Sequence, residues 1–320
     1  MDEKVVGQAE MLANRLKKRF RHLSKWARRS GITAFRLYDR DIPEIPLVVD
    51  LYDDAVSGAL YSRPYEKDPA EEAQWLKAMG VAVAQGLGLA ESHVFLKERQ
   101  RMRGRQESGD QYGRLSDQGC CRDVREGDLV FRVNLSDYLD TGLFLDARTR
   151  RAAIRKEAAG KRVLNLFAYT CSVSVAAAKG GARQVDSVDL SNTYLEWGRI
   201  NFALNGLAAP SLIRDDALQF ISRAARERLC WDIIVLDPPS FSNSKKMRDT
   251  LDTRRDHGEL IQSCLSLLAS GGTLWFSSGA KGISLDSGDF PNCTVKDMRS
   301  YLVDEDFKGK RMPACYTLTL

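Results

Sequence analysis

Apolar positions recur at steps near 3.6 residues through "MLANRLKKRFRHLSKWARR" (residues 11–29), where Met11, Leu12, Leu16, Phe20, Leu23 and Trp26 form one stripe. That period predicts an amphipathic helix, and Gly31 fits its C-terminal stop. The next segment, "AFRLYDRDIPEIPLVVDLYDDAVSGALY", has short apolar runs, a proline turn and β-branched residues, and predicts two or three strands. A helical pattern over 69–89 and a strand in "HVFLKERQ" come after it. Residues 97–115 are polar, contain glycine, lack an apolar period and predict a mobile loop. Residues 1–130 therefore read as a small α+β domain.

From about Leu129 the pattern becomes a strand–helix alternation: "LVFRVNLSDYL", then a helix in "DARTRRAAIRKEAA", then "RVLNLFAYT", "QVDSVDL", "PSLIR", "WDIIVLDPP" and "GGTLWFSSG" as strands with helical patterns between them. Runs such as "DIIVLD" are apolar without interruption, as strands are when helices cover both faces of a parallel sheet. Residues 131–320 thus predict a Rossmann-like, doubly wound, mostly parallel α/β domain. "MRSYLVDEDF" (298–307) reads as a last helix and "RMPACYTLTL" as a closing strand.

Charge adds a partner class. The net charge is +5, but residues 1–40 hold 11 Lys/Arg against 4 Asp/Glu. A basic end on a nearly neutral body points to a polyanion. No acidic residue occurs between Met11 and Tyr38, so Arg19, Arg21 and Lys25 on the first helix are candidate phosphate contacts. Lys97, Arg99, Arg101, Arg103 and Arg105 alternate along the polar loop and form a second candidate arm for nucleic acid. No apolar run has the length of a membrane span, and the N-terminus does not read as a secretory signal. Seven cysteines without CxxC pairing suggest neither a zinc site nor a disulfide framework, so no metal is expected and a reducing cytoplasm is the expected location.

In an open parallel sheet, ligands bind at the carboxyl ends of the strands, near the switch point. Those ends here carry "NLFAYTCSVS", "VDLS", "RDDAL", "DPPSFSNSK" and "FSSGAKG". Asp189 comes 19 residues after Thr170, the spacing at which a carboxylate meets ribose hydroxyls. The first loop has no glycine; its Tyr169, Thr170, Cys171 and Ser172 argue against a pyrophosphate. A smaller anion, such as a carboxylate at the helix N-terminus, remains compatible. An adenosine with an amino-acid tail and no phosphate is S-adenosylmethionine. Ser172 and Ser174 are candidate contacts for the tail, and Asp216 for the adenine amino group. In "DPPSF", two prolines after a strand stiffen the backbone into an elbow that holds Phe241 beside a methyl-transfer site.

The strings "ANRLKKRFRHLSKWAR", "RLYDRDIPEIPLVVDLY", "VNLSDYLDTGLFLDAR", "VLNLFAYTCS", "VDLSNTYLEWGRINFALNGL", "LDPPSFSNSK" and "RRDH" run over nearly the whole chain. Through them it resembles class I methyltransferases of 23S ribosomal RNA, and above all the RlmK-type catalytic half of the bifunctional large-subunit guanine methyltransferases. The resemblance implies a seven-stranded methyltransferase sheet and guanine N7 methylation. It places Asp146, Arg148, Phe167, Tyr169, Thr170, Ser172, Asp189 and Asp216 in the cofactor cleft. Asp237 joins that cleft at the methyl-transfer site, with Pro238, Pro239, Phe241 and Lys245 at the target base; Asp237, Pro238, Pro239 and Phe241 are the catalytic candidates. Two departures stand out: Cys171 replaces a glycine of the family pattern, and "FSSGAKG" replaces a string richer in Asn and Lys. The second methyltransferase of the bifunctional relatives is not in this sequence, so it reads as a free-standing enzyme or a fragment.

Guanine N7 carries a lone pair and no proton, so its methylation needs orientation and desolvation rather than a base. Asp237 then reads as a binding residue that accepts from the guanine edge or orients the cofactor, and His257 as packing or capping. Exocyclic-amino methylation of guanine or adenine is the runner-up, with Ser240 intervening between the prolines and the aromatic residue. A fold that has lost catalysis and serves as an RNA assembly factor is the alternative of another class. Cytosine C5 chemistry is disfavoured, because it needs a thiolate where Ser240 stands.

Overall fold

The computed structural model describes residues 2–62, 67–99, 114–208, 211–242 and 251–320. The backbone divides into two compact units, Met1–Leu145 and Asp146–Leu320.

The first unit opens with α1 (Glu3–Arg29), continues through β1 (Ala34–Asp39), β2 (Leu47–Tyr52), β3 (Ala55–Leu60), α2 (Pro69–Leu87) and β4 (Val94–Glu98), and ends in a hairpin. β1 to β4 form one sheet in chain order, with only the β3–β4 pair parallel. The buried face of α1 is Gln8, Leu12, Leu16, Leu23 and Ala27. The stripe expected from sequence is thus rotated: Met11 and Phe20 lie at its margin and are 45% and 37% exposed. Gln8 belongs inside because its amide oxygen accepts from the Trp75 indole at 2.7 Å. α2 approaches α1 closely, since a Cβ on Gly86 would stand 2.8 Å from the Ala13 carbonyl oxygen.

The hairpin pairs β5 (Cys121–Glu126) with β6 (Leu129–Asn134). Thr33 N–H donates to the Arg125 carbonyl at 3.1 Å and Gly127 N–H to that of Gly31 at 3.2 Å. These bonds keep the hairpin in the first unit, which therefore extends beyond residue 130. β5, "CRDVRE", buries only Val124 and has no strand-like apolar alternation to read.

The second unit comprises α3 (Arg148–Glu157), β7 (Arg162–Leu166), α4 (Ser172–Lys179), β8 (Gln184–Asp189), α5 (Asn192–Leu204), β9 (Ser211–Arg214), α6 (Ala217–Arg226) and β10 (Trp231–Leu236). It goes on through β11 (Phe241–Ser242), β12 (Leu251–Asp252), α7 (Thr253–Leu265), β13 (Leu268–Ser278), β14 (Thr294–Asp297) and β15 (Ala314–Thr319). Its seven-stranded sheet has the order β14-β15-β13-β10-β7-β8-β9, and only β15 runs against the rest. Alternate residues of each central strand feed opposite faces. Leu164, Ile234, Leu236, Leu274 and Phe276 pack with Phe220, Ile221, Ile261 and Leu265, whereas Val163, Ile233, Val235 and Trp275 pack with Ile154 and Ala177. Two covered faces explain the uninterrupted apolar runs.

The helix expected over 298–307 does not form; that stretch is a turn followed by a 3-10 turn at Glu305–Phe307. Tertiary demand explains the difference. Arg148 donates to Asp304 at 2.8 Å and to Asp306 at 3.0 Å, holding the segment against α3 by buried ion pairs.

Candidate functional site

The chain leaves β7 toward β8 and β9 on one side and returns through β10 on the other, so the switch point lies between β7 and β10. The β7–α4 connection has left-handed φ angles at Phe167 (56°), Tyr169 (50°) and Cys171 (60°), half of the non-glycine positive-φ residues described. Such strain persists only where neighbours hold it, and here they do. Ala168 N–H donates to the Val188 carbonyl at 2.9 Å and Tyr169 N–H to the Asp189 carboxylate at 2.8 Å. Asn201 Nδ2 donates to the Thr170 carbonyl at 2.9 Å. The Tyr169 ring meets Tyr194 of α5 edge-on, with centroids 4.5 Å apart.

Asp189 ends β8. One carboxylate oxygen accepts from Tyr169 N–H and the other from Ser191 N–H, both at 2.8 Å. Burial pushes its pKa up to about 6, against the pull of those two backbone donors. Each oxygen keeps a further lone pair, so the carboxylate can still accept from a ribose diol. α4 starts without a side-chain cap, which leaves its first N–H groups suited to a carboxylate. The donor and acceptor set therefore fits S-adenosylmethionine: hydroxyl acceptors at β8, an anion site at α4, and no glycine cradle for a pyrophosphate. Asp216 caps α6 by accepting from Leu218 N–H at 2.8 Å, and Asp215 N–H donates to the Asp189 carbonyl at 3.2 Å, which ties the third strand end to the second.

After β10 comes the elbow. Asp237 Oδ2 accepts from Arg150 Nη2 at 2.6 Å and Oδ1 from Ser277 Oγ at 2.6 Å, while Arg150 Nη1 also donates to Ser277 Oγ. Thr253, at the start of α7, donates its hydroxyl to the Pro239 carbonyl at 2.6 Å and its N–H to the Ser240 carbonyl at 3.2 Å. Phe241 pairs with Asp252 in the short β11–β12 ladder. His257 Nδ1 lies 3.2 Å and 3.1 Å from the Thr253 and Arg254 carbonyls, and its ring stacks on Phe276, so packing accounts for it.

The structure thus brings together Phe167, Tyr169, Thr170, Asp189 and Asp216 on one side of the switch point, and Asp237 to Phe241 on the other. Asp146 joins them electrostatically through Arg150, whose positive form burial opposes and Asp237 and Asp146 favour. Ser172 is half-buried at the first turn of α4. Two expectations change. Ser174 is fully buried, accepts from Asn165 Nδ2 at 2.9 Å and meets Ser187 Oγ at 2.7 Å, so it braces α4 against β7 and β8 rather than touching a ligand. Arg148 is buried in its pairs with Asp304 and Asp306, and its task is fastening. Arg150, Ser277 and Thr253 escaped the sequence reading. The only signal was an arginine-rich α3 with one acidic residue, Glu157, to balance it.

On the first unit, Lys17, Lys18, Arg21, Lys25, Arg28 and Arg29 are exposed along α1, whereas Arg19 is half-buried and donates to the Leu37 carbonyl at 3.4 Å. Lys97 lies on β4 rather than on a mobile loop. Its ammonium donates to the Tyr138 carbonyl, and burial drops its pKa to about 8. Arg99 is held by Asp140 and the Tyr61 hydroxyl, each at 3.2 Å. Both cations are committed internally. Arg101, Arg103, Arg105 and Lys245 lie outside the described residues. Among the described residues no group of three or more His, Cys, Asp or Glu side chains could hold a metal, and no helix is long and apolar enough to cross a membrane.

A doubly wound sheet of this strand order, with an acidic second strand end and a proline elbow after the fourth, defines a nucleoside-cofactor transferase. The chain matches the S-adenosylmethionine-dependent methyltransferase family model over residues 42–287, belongs to that family, and uses S-adenosylmethionine as its cofactor. It is 45% identical to the ribosomal RNA large subunit methyltransferase K of Neisseria meningitidis serogroup B, over 96% of this chain and 86% of that protein. It is 46% identical to the ribosomal RNA large subunit methyltransferase K/L of Stutzerimonas stutzeri, over 93% of this chain but only 40% of that longer protein. Its fold is similar to the solved structure of a protein described as a SAM-dependent methyltransferase from Streptococcus mutans, with a TM-score of 0.74, 23% identity, and coverage of 98% of this chain and 81% of that one.

Proposed function

We propose that this enzyme methylates N7 of a guanine in 23S ribosomal RNA. The observation that carries this reading is the 45% identity, nearly end to end, with a ribosomal RNA large subunit methyltransferase K. S-adenosylmethionine, when bound, supplies an electrophilic methyl group on a sulfonium. Asp189 orients the ribose, the α4 N-terminus receives the carboxylate, and Asp216 borders the adenine. Asp146, Phe167, Tyr169, Thr170 and Ser172 complete this cleft. Pro238, Pro239 and Phe241 present the target base, which must leave its stack to reach them.

Two features favour an unprotonated nucleophile. Arg150 and Ser277 give the Asp237 carboxylate a structural task, and backbone carbonyls and Phe276 give one to the His257 ring, so neither side chain needs a role as base to account for its place. Guanine N7 has no proton to give up. The residues need only align the base and exclude water. The first unit is the RNA-binding part, through the exposed cations of α1, and activity on ribosomal RNA places the enzyme in the cytoplasm.

The test is mass mapping of methylated nucleotides in 23S ribosomal RNA made with and without this protein. A guanine whose N7 methyl appears only with the protein supports the proposal. A methyl on an exocyclic amine replaces it with the runner-up. No change in any nucleotide, with the cofactor bound, supports the assembly-factor alternative.

A further inference from the structure

We propose that Arg150 is a positioning residue that acts through Asp237 to hold the Asp237–Phe241 elbow in its methyl-transfer geometry. The inference rests on the reading that this elbow borders the transferred methyl.

Three elements meet at one guanidinium. Arg150 comes from α3, before the first strand of the sheet; Asp237 ends β10; Ser277 lies near the end of β13. Arg150 is only 8% exposed, and its two terminal nitrogens divide between the Asp237 carboxylate and the Ser277 hydroxyl. Ser277 then donates to the other Asp237 oxygen, closing a three-membered ring of bonds. Both oxygens of Asp237 are thereby fixed, and with them the rotation of the residue that launches the two prolines. Thr253 fixes the far side of the same turn through the Pro239 and Ser240 carbonyls.

This arrangement is a poor way to gain stability. Arg150 Nε is buried with no hydrogen-bond partner, and an ion pair that takes a guanidinium out of water is often no better than well-packed apolar side chains. A guanidinium kept in so costly a place points to geometry rather than stability as its benefit.

A double-mutant cycle with Arg150→Met and Asp237→Asn tests this. We expect R150M to lower kcat on 23S ribosomal RNA by about 100-fold while the Kd for S-adenosylhomocysteine changes by less than about threefold. The double variant should be no slower than D237N alone, and its Tm should recover from the drop in R150M, where a half-buried carboxylate loses its partner. Losses that multiply in the double variant, or an R150M with unchanged kcat per folded molecule, overturn the inference. Should R150M fail to fold, the double variant against D237N carries the same comparison. Hydrogen exchange separates this from the substrate reading: the Ser240 and Phe241 amides should exchange faster in R150M and S277A, with those of Tyr169 to Cys171 unchanged. Unchanged exchange at the elbow rejects the clamp even if RNA is methylated. A wild type that methylates no RNA rejects the substrate alone.

Discussion

Cys171 and Gly198 fit one another: the Cys171 sulfur stands 2.6 Å from where a Cβ on Gly198 would be. The cysteine that opens α4 in a left-handed conformation therefore directs its side chain onto α5, where a helical glycine leaves the room. Burial pushes its thiol up to about 12, so it is a small apolar filler rather than a nucleophile.

Gly198→Ala should destabilise the fold by about 1–3 kcal/mol, since the added methyl would overlap a fully buried sulfur. Cys171→Gly relieves about 1 kcal/mol of left-handed strain but leaves a gap against Gly198. The double variant should be more stable than G198A alone. Thermal or denaturant unfolding of the four proteins measures the coupling. Additive effects would mean that the two positions do not share the space.

Asp189 gives a pH signature. Its folded pKa of about 6 is above the usual carboxylate value, so its contribution to stability is present below the unfolded pKa near 4 and is lost as pH rises toward 6. Cofactor binding has the opposite sign, because only the ionised form accepts two ribose hydroxyls. Affinity for S-adenosylhomocysteine should rise about tenfold between pH 5 and pH 7, following the ionised fraction. Asp189→Asn should bind weakly and lose this dependence in calorimetry. A D189N profile that keeps the slope would assign the titration to another group.

Lys18, Arg21 and Lys25 share one face of α1 and are exposed. Replacing all three with alanine should weaken RNA binding and flatten its salt dependence by about 2 units of log K per log salt. Cofactor affinity and Tm should stay at the wild-type values. An unchanged salt slope would remove this helix from the RNA contact.

Thr253→Val tests the other pin of the elbow. It keeps the shape but loses the bond to the Pro239 carbonyl, at about 1–2 kcal/mol of stability. Turnover should fall with little change in cofactor affinity. Turnover that matches wild type once Tm is corrected for would show the Pro239 carbonyl to be held well enough by the prolines alone.

The sheet was legible because its central strands are buried on both faces and write that burial as unbroken apolar runs. The positions of Asp189 and the proline elbow at strand ends were legible because their spacing from β7 and β10 is local. What was not legible comes from long-range pairing. Arg150 and Ser277 are far from Asp237 in sequence, and nothing local marks Arg150 over Arg148 or Arg151. The same holds for residues 298–307, whose helical pattern yields to ion pairs with Arg148. The α1 stripe was misplaced by one position because a polar residue, Gln8, satisfies itself inside by bonding Trp75, a partner on another helix.

The position of β15 has a consequence for the order of assembly. β14 attaches to the sheet only through β15, which lies between it and β13. During synthesis, β7 to β13 can pair as they emerge, but β14 has no neighbour until Ala314–Thr319 has been made. Tyr316 and Leu318 then complete the hydrophobic layer over Leu274 and Phe276. The strand that pairs beside Ser277 is thus made after every other strand of its sheet, and it inserts between β13 and β14 rather than adding to an outer edge.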